Sequence, residues 1–435
     1  MLVSAQAFSP SDAGVPTALQ TFAPTHAAAL ARLQAVKPST YARTRNALDG
    51  HVTGLSPYFT HGVLGLVEAT RAVNERFPLG FDDKLVFEFA WREFFHHVWS
   101  RAPLNGDGIL NDLHGELPWR GHYADTLPAD IREGRTGVPV IDTAVRVLYA
   151  TGYLHNHIRM WLASYVVHDR KVHWRAGADW LYAHLLDGDL PSNHLSWQWV
   201  AATFSSKPYL FNAENVAKYA PAGARAAWDS TGTVIDQSYE SLSTLATDKP
   251  GCGAERGQHD GVIEPVLHAT VPTESAVSFL GSFSPSAKGS IASNASLLIA
   301  KLKPGHVVEL VHPWALAPRP VGSTALRLGV IHLPAHADWP WSACRWQFVL
   351  QAMAGVVDAV WVGDVGTIRH DLGIAADQPI TAQAVLFPHY RQALARVATL
   401  TPAPRLLANP PMLCRSFSKF YDKARRDAGE LASLL

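Results

Sequence analysis

The first half of the chain carries apolar residues at helical spacing, and the last third carries short apolar runs that alternate with amphipathic segments. From about His26 to Tyr219 the pattern predicts helices, including KLVFEFAWREFFHHVWS and PVIDTAVRVLYATG. Further along, ALRLGVIHL and DAVWVGD predict short buried strands, whereas CRWQFVLQAMAGV and HYRQALARVATL predict helices. This alternation favours a small α/β domain with a parallel sheet, closed by the amphipathic helix SKFYDKARRDAGELASLL.

We therefore predict a multi-domain protein in which an all-α domain is followed by a smaller α/β domain. Residues 1–25 are rich in Ala, Ser and Pro and predict an irregular arm. Residues 26–220 form the helical domain. Residues 221–262 are rich in small and polar side chains without periodicity, which predicts a linker or irregular extension. Residues 263–435 form the α/β domain.

Composition narrows the possible functions. The 37 basic and 37 acidic residues give no net charge, so binding to nucleic acid requires a local positive patch. Cys252, Cys344 and Cys414 contain no C-x-x-C pair, which argues against a disulfide framework or a four-cysteine iron–sulfur site. Because no long apolar run or signal-peptide pattern occurs, we expect a soluble cytoplasmic protein. No metal site is predicted, since no H-E-x-x-H or comparable ligand set is present.

The stretch Gly152–Trp199 holds more polar and indole side chains than a helical core needs. Asn156, Arg159 and Met160 fall at i, i+3 and i+4, so they share one helix face that can line a pocket. A buried guanidinium needs a partner, and Asp187, in the turn before the next helix, is a candidate for Arg159. Taken singly, each of these residues also suits ordinary core packing.

The predicted helix upstream presents Glu88, Trp91, Arg92 and Phe95 at i, i+3, i+4 and i+7. A carboxylate beside an exposed indole can hydrogen-bond to a base while the ring stacks on it, and such stacking contributes about 1–3 kcal/mol per base. The alternative is that Trp91, Phe94 and Phe95 are core residues and that Glu88 pairs with Arg92.

The turn HVTGLSPYF places Thr53 and Ser56 where Pro57 can begin a helix, and Tyr41 lies a short distance before it. Backbone N–H groups and hydroxyls at a helix N-terminus form a natural anion site. The alternative is that Ser56 only caps the helix.

These segments resemble those of a known family. TGYLHNHIRM, HWRAGADW, LLDGDLPSNHLSWQW, LSPYFTHG and FEFAWREFF are similar to the flavin-binding helical domain of the DNA photolyase and cryptochrome superfamily, from about Tyr41 to about Trp199. The resemblance implies FAD as the cofactor and covers less than half of the chain. In the family an α/β domain, often with an antenna chromophore, normally precedes the flavin domain. We therefore expect a short photolyase-like member that lacks the usual N-terminal antenna domain.

The resemblance also implies roles for individual residues. For FAD it implies ribityl-diphosphate contacts from Tyr41, Thr53, Leu55 and Ser56, further contacts from Arg159, Asp187 and Asp189, and Asn193 facing the flavin N5. For a pyrimidine dimer it implies Glu88 at the base edge, Trp91 and Trp199 as pocket walls, and Asn156 and Met160 as further contacts.

Electron transfer to the flavin would run through Trp197 and Trp174, which match the first two members of the family's chain of indoles. The third member is not at the expected position. Trp119, Trp161, Trp180 or a surface tyrosine remain as candidates.

The sequence departs from the family in two places. His157 stands where the family usually has arginine, which removes an always-charged fork from the substrate contacts. After the WQW motif, the segments that complete the flavin domain are shortened. Lys207, Asn212 and Asn215 remain candidates for contacts with flavin or its phosphates.

The implied function is light-driven repair of cyclobutane pyrimidine dimers in single- or double-stranded DNA by electron transfer from reduced FAD, the activity of a deoxyribodipyrimidine photolyase-like lyase. Cyclobutane dimers are favoured over (6-4) products because the histidines that repair the latter lack the expected spacing. One alternative is a cryptochrome-like blue-light photoreceptor with a signalling partner. Another is a flavoprotein that has lost its light chemistry. Neither a membrane nor a metal is an expected partner.

Overall fold

The computed structural model describes residues 21–105, 109–249, 260–272 and 295–435, so the predicted arm at 1–25 lies almost entirely outside it. The first part of the described chain is helical. Its α-helices are α1 His26–Gln34, α2 Pro38–Thr44, α3 Ser56–Thr60, α4 Leu66–Asn74, α5 Lys84–Arg101, α6 Ala129–Arg132, α7 Pro139–Thr151, α8 Asn156–Ser164, α9 Trp174–His184, α10 Leu190–Val200, α11 Ala213–Tyr219, α12 Arg225–Trp228 and α13 Tyr239–Thr247, with a π-helical turn at Tyr165–Asp169.

Local sequence explains where α5 and α7, two of the predicted helices, end. α5 ends at Arg101 because Pro103 favours an extended conformation at Ala102, whose ψ is 150°. α7 begins at Pro139, and Gly152 ends it in the left-handed conformation with φ of 63°. Both helices coincide with the predicted segments, so the helical part of the predicted fold is confirmed.

The described part of the 221–262 segment packs on the helical domain. Thr143 Oγ1 on α7 donates a hydrogen bond to the carbonyl of Ala227 on α12 at 2.8 Å. Lys171 Nζ donates to the carbonyl of Leu245 on α13 at 2.6 Å. The division of the chain at residue 221 stays a prediction.

The C-terminal part contains a parallel five-stranded sheet and a separate antiparallel pair of strands. Its elements are β1 Leu267–His268, α14 Ala295–Ala300, β2 Val308–Val311, β3 Leu326–His332, α15 Leu333–Asp338, β4 Trp341–Ser342, α16 Ala343–Ala354, β5 Ala359–Gly363, α17 Ile368–Leu372, β6 Ile380–Gln383, α18 Pro388–Val397, β7 Thr399–Thr401 and α19 Phe417–Ala428. The strand order in the parallel sheet is β5-β3-β2-β6-β7, and β1 pairs with β4. The central strands are rich in buried Val, Ile and Leu, as expected for a covered parallel sheet. The predicted α/β domain is confirmed.

The strand order reverses between β2 and β6, the position at which open parallel sheets usually bind ligands beyond the carboxyl ends of their strands. The chain's own side chains pack there. His312 Nε2 lies 2.9 Å from the carbonyl oxygen of Gln383, which joins the two strand ends. Trp314 packs edge-on against Phe387 and Tyr390, with ring centroids 5.3 and 5.0 Å apart. This edge is therefore part of the core.

The helical and α/β parts share a buried junction. His61, which follows α3, lies 2.7 Å from the carbonyl of Pro313 through Nδ1 and 2.8 Å from the carbonyl of Leu186 through Nε2. On another side, α19 lies along α5, and Phe417 stacks on Trp91 with ring centroids 4.1 Å apart.

Within the described ranges, no helix is long and apolar enough to cross a membrane. Cys344 and Cys414 are free thiols, whereas Cys252 lies outside the described residues.

Candidate functional site

The turn between α9 and α10 carries two buried carboxylates, Asp187 and Asp189, and we name residues 187–189 the carboxylate turn. Asp187 Oδ2 accepts hydrogen bonds from Ser56 Oγ at 2.5 Å and from Arg159 Nη2 at 2.8 Å. The guanidinium of Arg159 is held in turn by the carbonyl of Leu154, to which its Nε donates at 2.8 Å. The structure therefore contains the predicted ion pair of Arg159 and Asp187.

Asp189 caps α10 and binds two side chains of α5. Its Oδ2 accepts from the Ser192 backbone N–H at 3.1 Å and lies 3.0 Å from His96 Nε2, while its Oδ1 lies 3.5 Å from Arg92 Nη2. Burial alone would raise the pKa of Asp189, but Arg92, His96 and Ser192 outweigh it and lower the pKa well below its ordinary value. Asp189 is therefore ionised at neutral pH.

The carboxylate turn retains capacity for a ligand. Asp187 Oδ1 is buried and accepts no hydrogen bond from the part of the chain that the structure describes. Asn193, one turn into α10, donates to the carbonyl of Ala178 at 2.8 Å and is half-buried. A flavin ring offers both an N–H donor and carbonyl acceptors. The Asp187 carboxylate and the Asn193 amide are therefore groups that fit FAD.

The loop before α3 forms a second part of the site. Gly54 has φ of 59°, and a Cβ there would lie 2.8 Å from Arg32 Nη1, so glycine allows this guanidinium to lie against the loop. Thr53 Oγ1 accepts from the Leu55 N–H at 3.4 Å. The Leu55 side chain is buried, so only its backbone is available to a ligand. Ser56 is bonded to Asp187, and Arg32, which donates to the carbonyl of Thr21 and lies 4.5 Å from the ring centroid of Phe22, places a positive charge beside the loop.

Tyr41, predicted as a cofactor contact, lies close to Glu88 and Arg45. Glu88 and Arg45 act on the Tyr41 phenol, whose pKa is raised mainly by burial. Arg45 Nη2 in turn lies 3.3 Å from Glu88 Oε1. Tyr41 therefore lies near Glu88, one of the predicted substrate contacts.

The residues predicted to contact substrate, which we name the substrate face, remain accessible to solvent. Asn156 is exposed, whereas the other members are half-buried: Glu88, Trp91, Met160 and Trp199. Asn156 Nδ2 donates to Met160 Sδ at 3.4 Å, so these two form one patch on α8. Burial raises the pKa of Glu88, and Arg45 opposes that shift.

The alternative pairing considered for α5 is wrong. Glu88 pairs with Arg45, whereas Arg92 binds Asp189 in the carboxylate turn. Phe94 is core, at 1% exposure, but Trp91 is half-buried. α5 therefore directs one charged residue to each part of the site.

His157 does not supply the positive charge of the arginine that the family usually has at this position. Its ring packs 4.7 Å from that of Tyr219 and 5.9 Å from that of Trp161. Burial lowers the pKa of His157, with a further contribution from Arg45, so the imidazole is neutral at pH 7. A neutral, stacked ring offers no charged fork to a phosphate.

The two predicted electron-transfer residues are Trp174, the first residue of α9, and Trp197 on α10, whose ring packs against α9 at Gly177. Trp197 and Trp174 are each 2% exposed. A Cβ at Gly177 would come within 2.3 Å of the Trp197 ring, so glycine lets this indole lie against the α9 backbone, one turn from Trp174. Trp174 Nε1 donates to Asp112 Oδ1 at 2.7 Å.

The three candidates for the third indole differ in exposure. Trp161 and Trp180 are buried at 0% and 7%, whereas Trp119 is 52% exposed. Trp119 also precedes Arg120, which lines a cavity of about 600 Å³ together with Trp174.

The remaining candidates for flavin contacts are mostly engaged elsewhere. Asn212 caps α11 by accepting from the Asn215 N–H at 2.9 Å. Asn215 Oδ1 accepts from Trp161 Nε1 at 3.1 Å. Lys207 is exposed.

Several residues of the site were not found from the sequence. His96 follows Arg92 at i+4, so helical spacing alone would have indicated it. Arg32 and Arg45 carry no such signal, because their partners lie in other elements. Gly177 carries no signal in the sequence either, because its role depends on the Trp197 ring that packs against it.

Comparison with known proteins identifies a family model and several relatives that match part of the chain. Residues 85–250 match the family model described as the FAD binding domain of DNA photolyase. This range contains the carboxylate turn and the substrate face. The predicted resemblance to the flavin-binding domain of photolyases and cryptochromes is confirmed, and FAD is the cofactor of that domain family.

Individual relatives cover similar shares of the chain. The deoxyribodipyrimidine photo-lyase of Synechococcus sp. is 33% identical over 225 residues, which are 49% of this chain and 44% of that protein. A deoxyribodipyrimidine photo-lyase of Thermus thermophilus is 38% identical over 180 residues, 40% of this chain and 42% of the relative. A solved cryptochrome structure from Synechocystis sp. is 27% identical, covers 45% of this chain and 43% of its own, and has a TM-score of 0.38. The chain spans less than half the length of these relatives.

Proposed function

We propose that this protein binds FAD at the carboxylate turn and uses light to split cyclobutane pyrimidine dimers in DNA. The observation that carries the proposal is that the same two helices serve both parts of the site. Arg92 of α5 and Arg159 of α8 bind the carboxylate turn, and members of the substrate face lie within one helical turn of each. A ligand at the turn would therefore lie next to a base on the substrate face.

The protein's own residues hold the cofactor and the lesion in contact. Reduced FAD supplies the light-absorbing one-electron donor when it is bound. Glu88 offers a carboxylate to a base edge, and Trp91 and Trp199 offer ring surfaces for stacking. A dimer is already weakly paired in the duplex, so flipping it into this pocket costs less than flipping a sound base.

Binding to DNA is proposed to use positive charge at the rim of the substrate face. Arg43 is exposed on α2, two residues from Arg45, which pairs with Glu88. Lys218 is exposed and lies 5.3 Å from the ring of Tyr219, which packs on His157. These cations supply a local patch in a chain without net charge.

We further propose that Trp119 is the third member of the electron route through Trp197 and Trp174. Its exposure supports this assignment, because the terminal member must exchange electrons with a reductant in solution. Trp161 and Trp180 are buried and lack that access. We also propose a cytoplasmic location, on the ground that the few cysteines suit a reducing compartment.

A blue-light photoreceptor is the second candidate, and one contact favours it. Phe417 of the closing helix α19 stacks on Trp91 of the substrate face. A change at the site that moves Trp91 would therefore reach the C-terminal helix directly. In that function the helix would respond to flavin charge and engage a signalling partner.

The test is repair of thymine-dimer oligonucleotides, single- and double-stranded, by reduced protein in the light. Trp91→Ala should abolish repair and leave FAD binding and flavin photoreduction unchanged, because the α5 side chains that bond to the carboxylate turn in the described structure are Arg92 and His96. Trp161→Phe, which alters a buried indole away from the substrate face, should keep repair. Repair that survives Trp91→Ala contradicts the pocket assignment, whereas photoreduction without repair in the wild type favours the photoreceptor.

A further inference from the structure

A buried arginine of the α/β domain contacts the carboxylate turn directly. Arg345, on α16, is 0% exposed. Its Nη1 donates to the carbonyl of Tyr182 at 2.6 Å, and its Nη2 donates to the carbonyl of Gly188 at 2.6 Å. Gly188 lies between the two aspartates of the turn, so the guanidinium holds its central peptide group from the opposite domain.

The contact depends on glycine at position 188. A Cβ there would lie 2.4 Å from Arg345 Nη1 and 2.6 Å from the carbonyl oxygen of Tyr182. Both distances are shorter than side-chain packing allows. Gly188 and Arg345 are therefore matched residues, although 157 positions separate them along the chain.

The charge of Arg345 also links it to the turn. Among the described residues no carboxylate pairs with the guanidinium, which instead lies 4.5 Å from the ring centroid of Tyr182 and 4.1 Å from that of Trp341. Burial lowers the pKa of Arg345, and Tyr182, Asp187 and Asp189 oppose that shift. A buried cation of this kind is stable only while its anionic surroundings are in place.

A second cross-domain contact acts on the same loop. His61 is buried between the carbonyl of Pro313, which follows β2, and the carbonyl of Leu186, which precedes the carboxylate turn. A neutral imidazole can donate to only one of the two oxygens. His61 therefore lies between the segment before the carboxylate turn and the α/β domain, beside the direct contact that Arg345 makes with Gly188.

We propose that Arg345 is a positioning residue of the flavin site, which couples FAD binding to the packing of the α/β domain. The inference rests on the proposed binding of FAD at the carboxylate turn. In this proposal Arg345 acts through the Gly188 peptide, to which it bonds, between the two carboxylates proposed to bind FAD. By thermodynamic linkage, FAD must then stabilise the packing of α16 by the same free energy that this packing contributes to FAD binding.

The first experiment compares FAD affinity among the wild type and three variants by flavin fluorescence titration. Arg345→Met should weaken FAD binding by about tenfold or more, the factor expected for loss of hydrogen bonds from a charged donor. Arg345→Lys, which keeps the charge, should recover part of this loss. Arg327→Met is the matched control, because Arg327 is also a buried α/β arginine, at 2% exposure, but donates to Ala317 and Val356 within its own domain. It should keep wild-type affinity.

The second experiment needs no variant. Hydrogen exchange of α16 amides is measured in wild-type protein with and without FAD, and FAD should slow it. Unchanged exchange in α16 despite bound FAD overturns the inference even if Arg345→Met fails to fold. Equal FAD affinity in Arg345→Met and wild type overturns it as well. Wild-type protein that binds no FAD instead overturns the proposed function, so the two failures are distinguishable.

Discussion

The helical and α/β halves of this protein use polar and aromatic side chains in opposite ways. In the helical half, the substrate face stays accessible, with Asn156 exposed, and it adjoins a carboxylate turn in which Asp187 keeps an oxygen without a hydrogen bond from the described residues. At the carboxyl edge of the sheet, His312 and Tyr390 are both 0% exposed and are bonded within the core. A strand order that suits ligand binding is therefore not sufficient; the solvent-accessible side chains of the substrate face distinguish the candidate site from the core.

The largest expected effect tests the helical half. Asp187→Ala removes the partner of Arg159 and leaves a largely buried cation, which should destabilise the protein by about 3–5 kcal/mol and prevent FAD binding. Urea unfolding and an FAD titration measure the two effects. Asp377→Ala, which removes an exposed carboxylate of the α/β half, should change stability by no more than about 0.5 kcal/mol. Normal FAD affinity in Asp187→Ala would place the cofactor elsewhere.

A smaller effect tests the electron route. Gly177→Ala places a methyl group against the Trp197 ring, and such overpacking should cost about 1–3 kcal/mol of folding free energy. Displacement of the ring should also slow flavin photoreduction, measured by absorbance under steady blue light. Gly223→Ala is the control, because a Cβ there meets no neighbouring atom of the described chain. Photoreduction at the wild-type rate in Gly177→Ala would argue against Trp197 as the first donor.

The smallest effect tests whether the sheet edge is purely structural. Burial lowers the pKa of His312 to about 4, below the ordinary value of 6.5. The folded state therefore binds the proton less well than the unfolded state, so the contribution of His312 to stability is present above pH 6.5 and is lost towards pH 4. Each pH unit in that window should cost about 1.4 kcal/mol.

The measurement is urea unfolding at pH 6.5 and pH 5.5 for the wild type and for His312→Gln. The variant should show the shallower loss of stability, whereas His370→Gln, in which an exposed histidine is replaced, should match the wild type. An unchanged pH dependence in His312→Gln would show that the sheet edge is more open to water than this structure indicates.

Contacts within one helix, or between a helix and the turn next to it, could be predicted from the sequence. Helical geometry fixes the i, i+3 and i+4 neighbours, which is why Asn156 and Met160 were correctly placed on one face. The ion pair of Arg159 and Asp187 is predictable because a buried guanidinium needs a nearby carboxylate, and the turn before α10 provides one. The strands β3 and β5 were recognisable as short apolar runs.

Contacts between distant elements could not be predicted in this way. Glu88 binds Arg45 rather than Arg92, because the packing of α2 on α5 brings Arg45 to it, and no local spacing encodes that packing. The contact of Arg345 with Gly188 depends on how the two domains dock. Neither Gly188 nor Arg345 lies in a sequence pattern that indicates this contact.

The most direct test of the account is light-dependent repair of a thymine-dimer oligonucleotide by reduced protein, with the flavin absorption spectrum recorded on the same sample. We expect a flavin spectrum and dimer splitting that occurs in the light and stops in the dark. Protein that shows no flavin spectrum after expression with ample FAD would contradict FAD binding. Protein that carries FAD and photoreduces it but leaves the dimer intact would contradict repair and leave light sensing as the function.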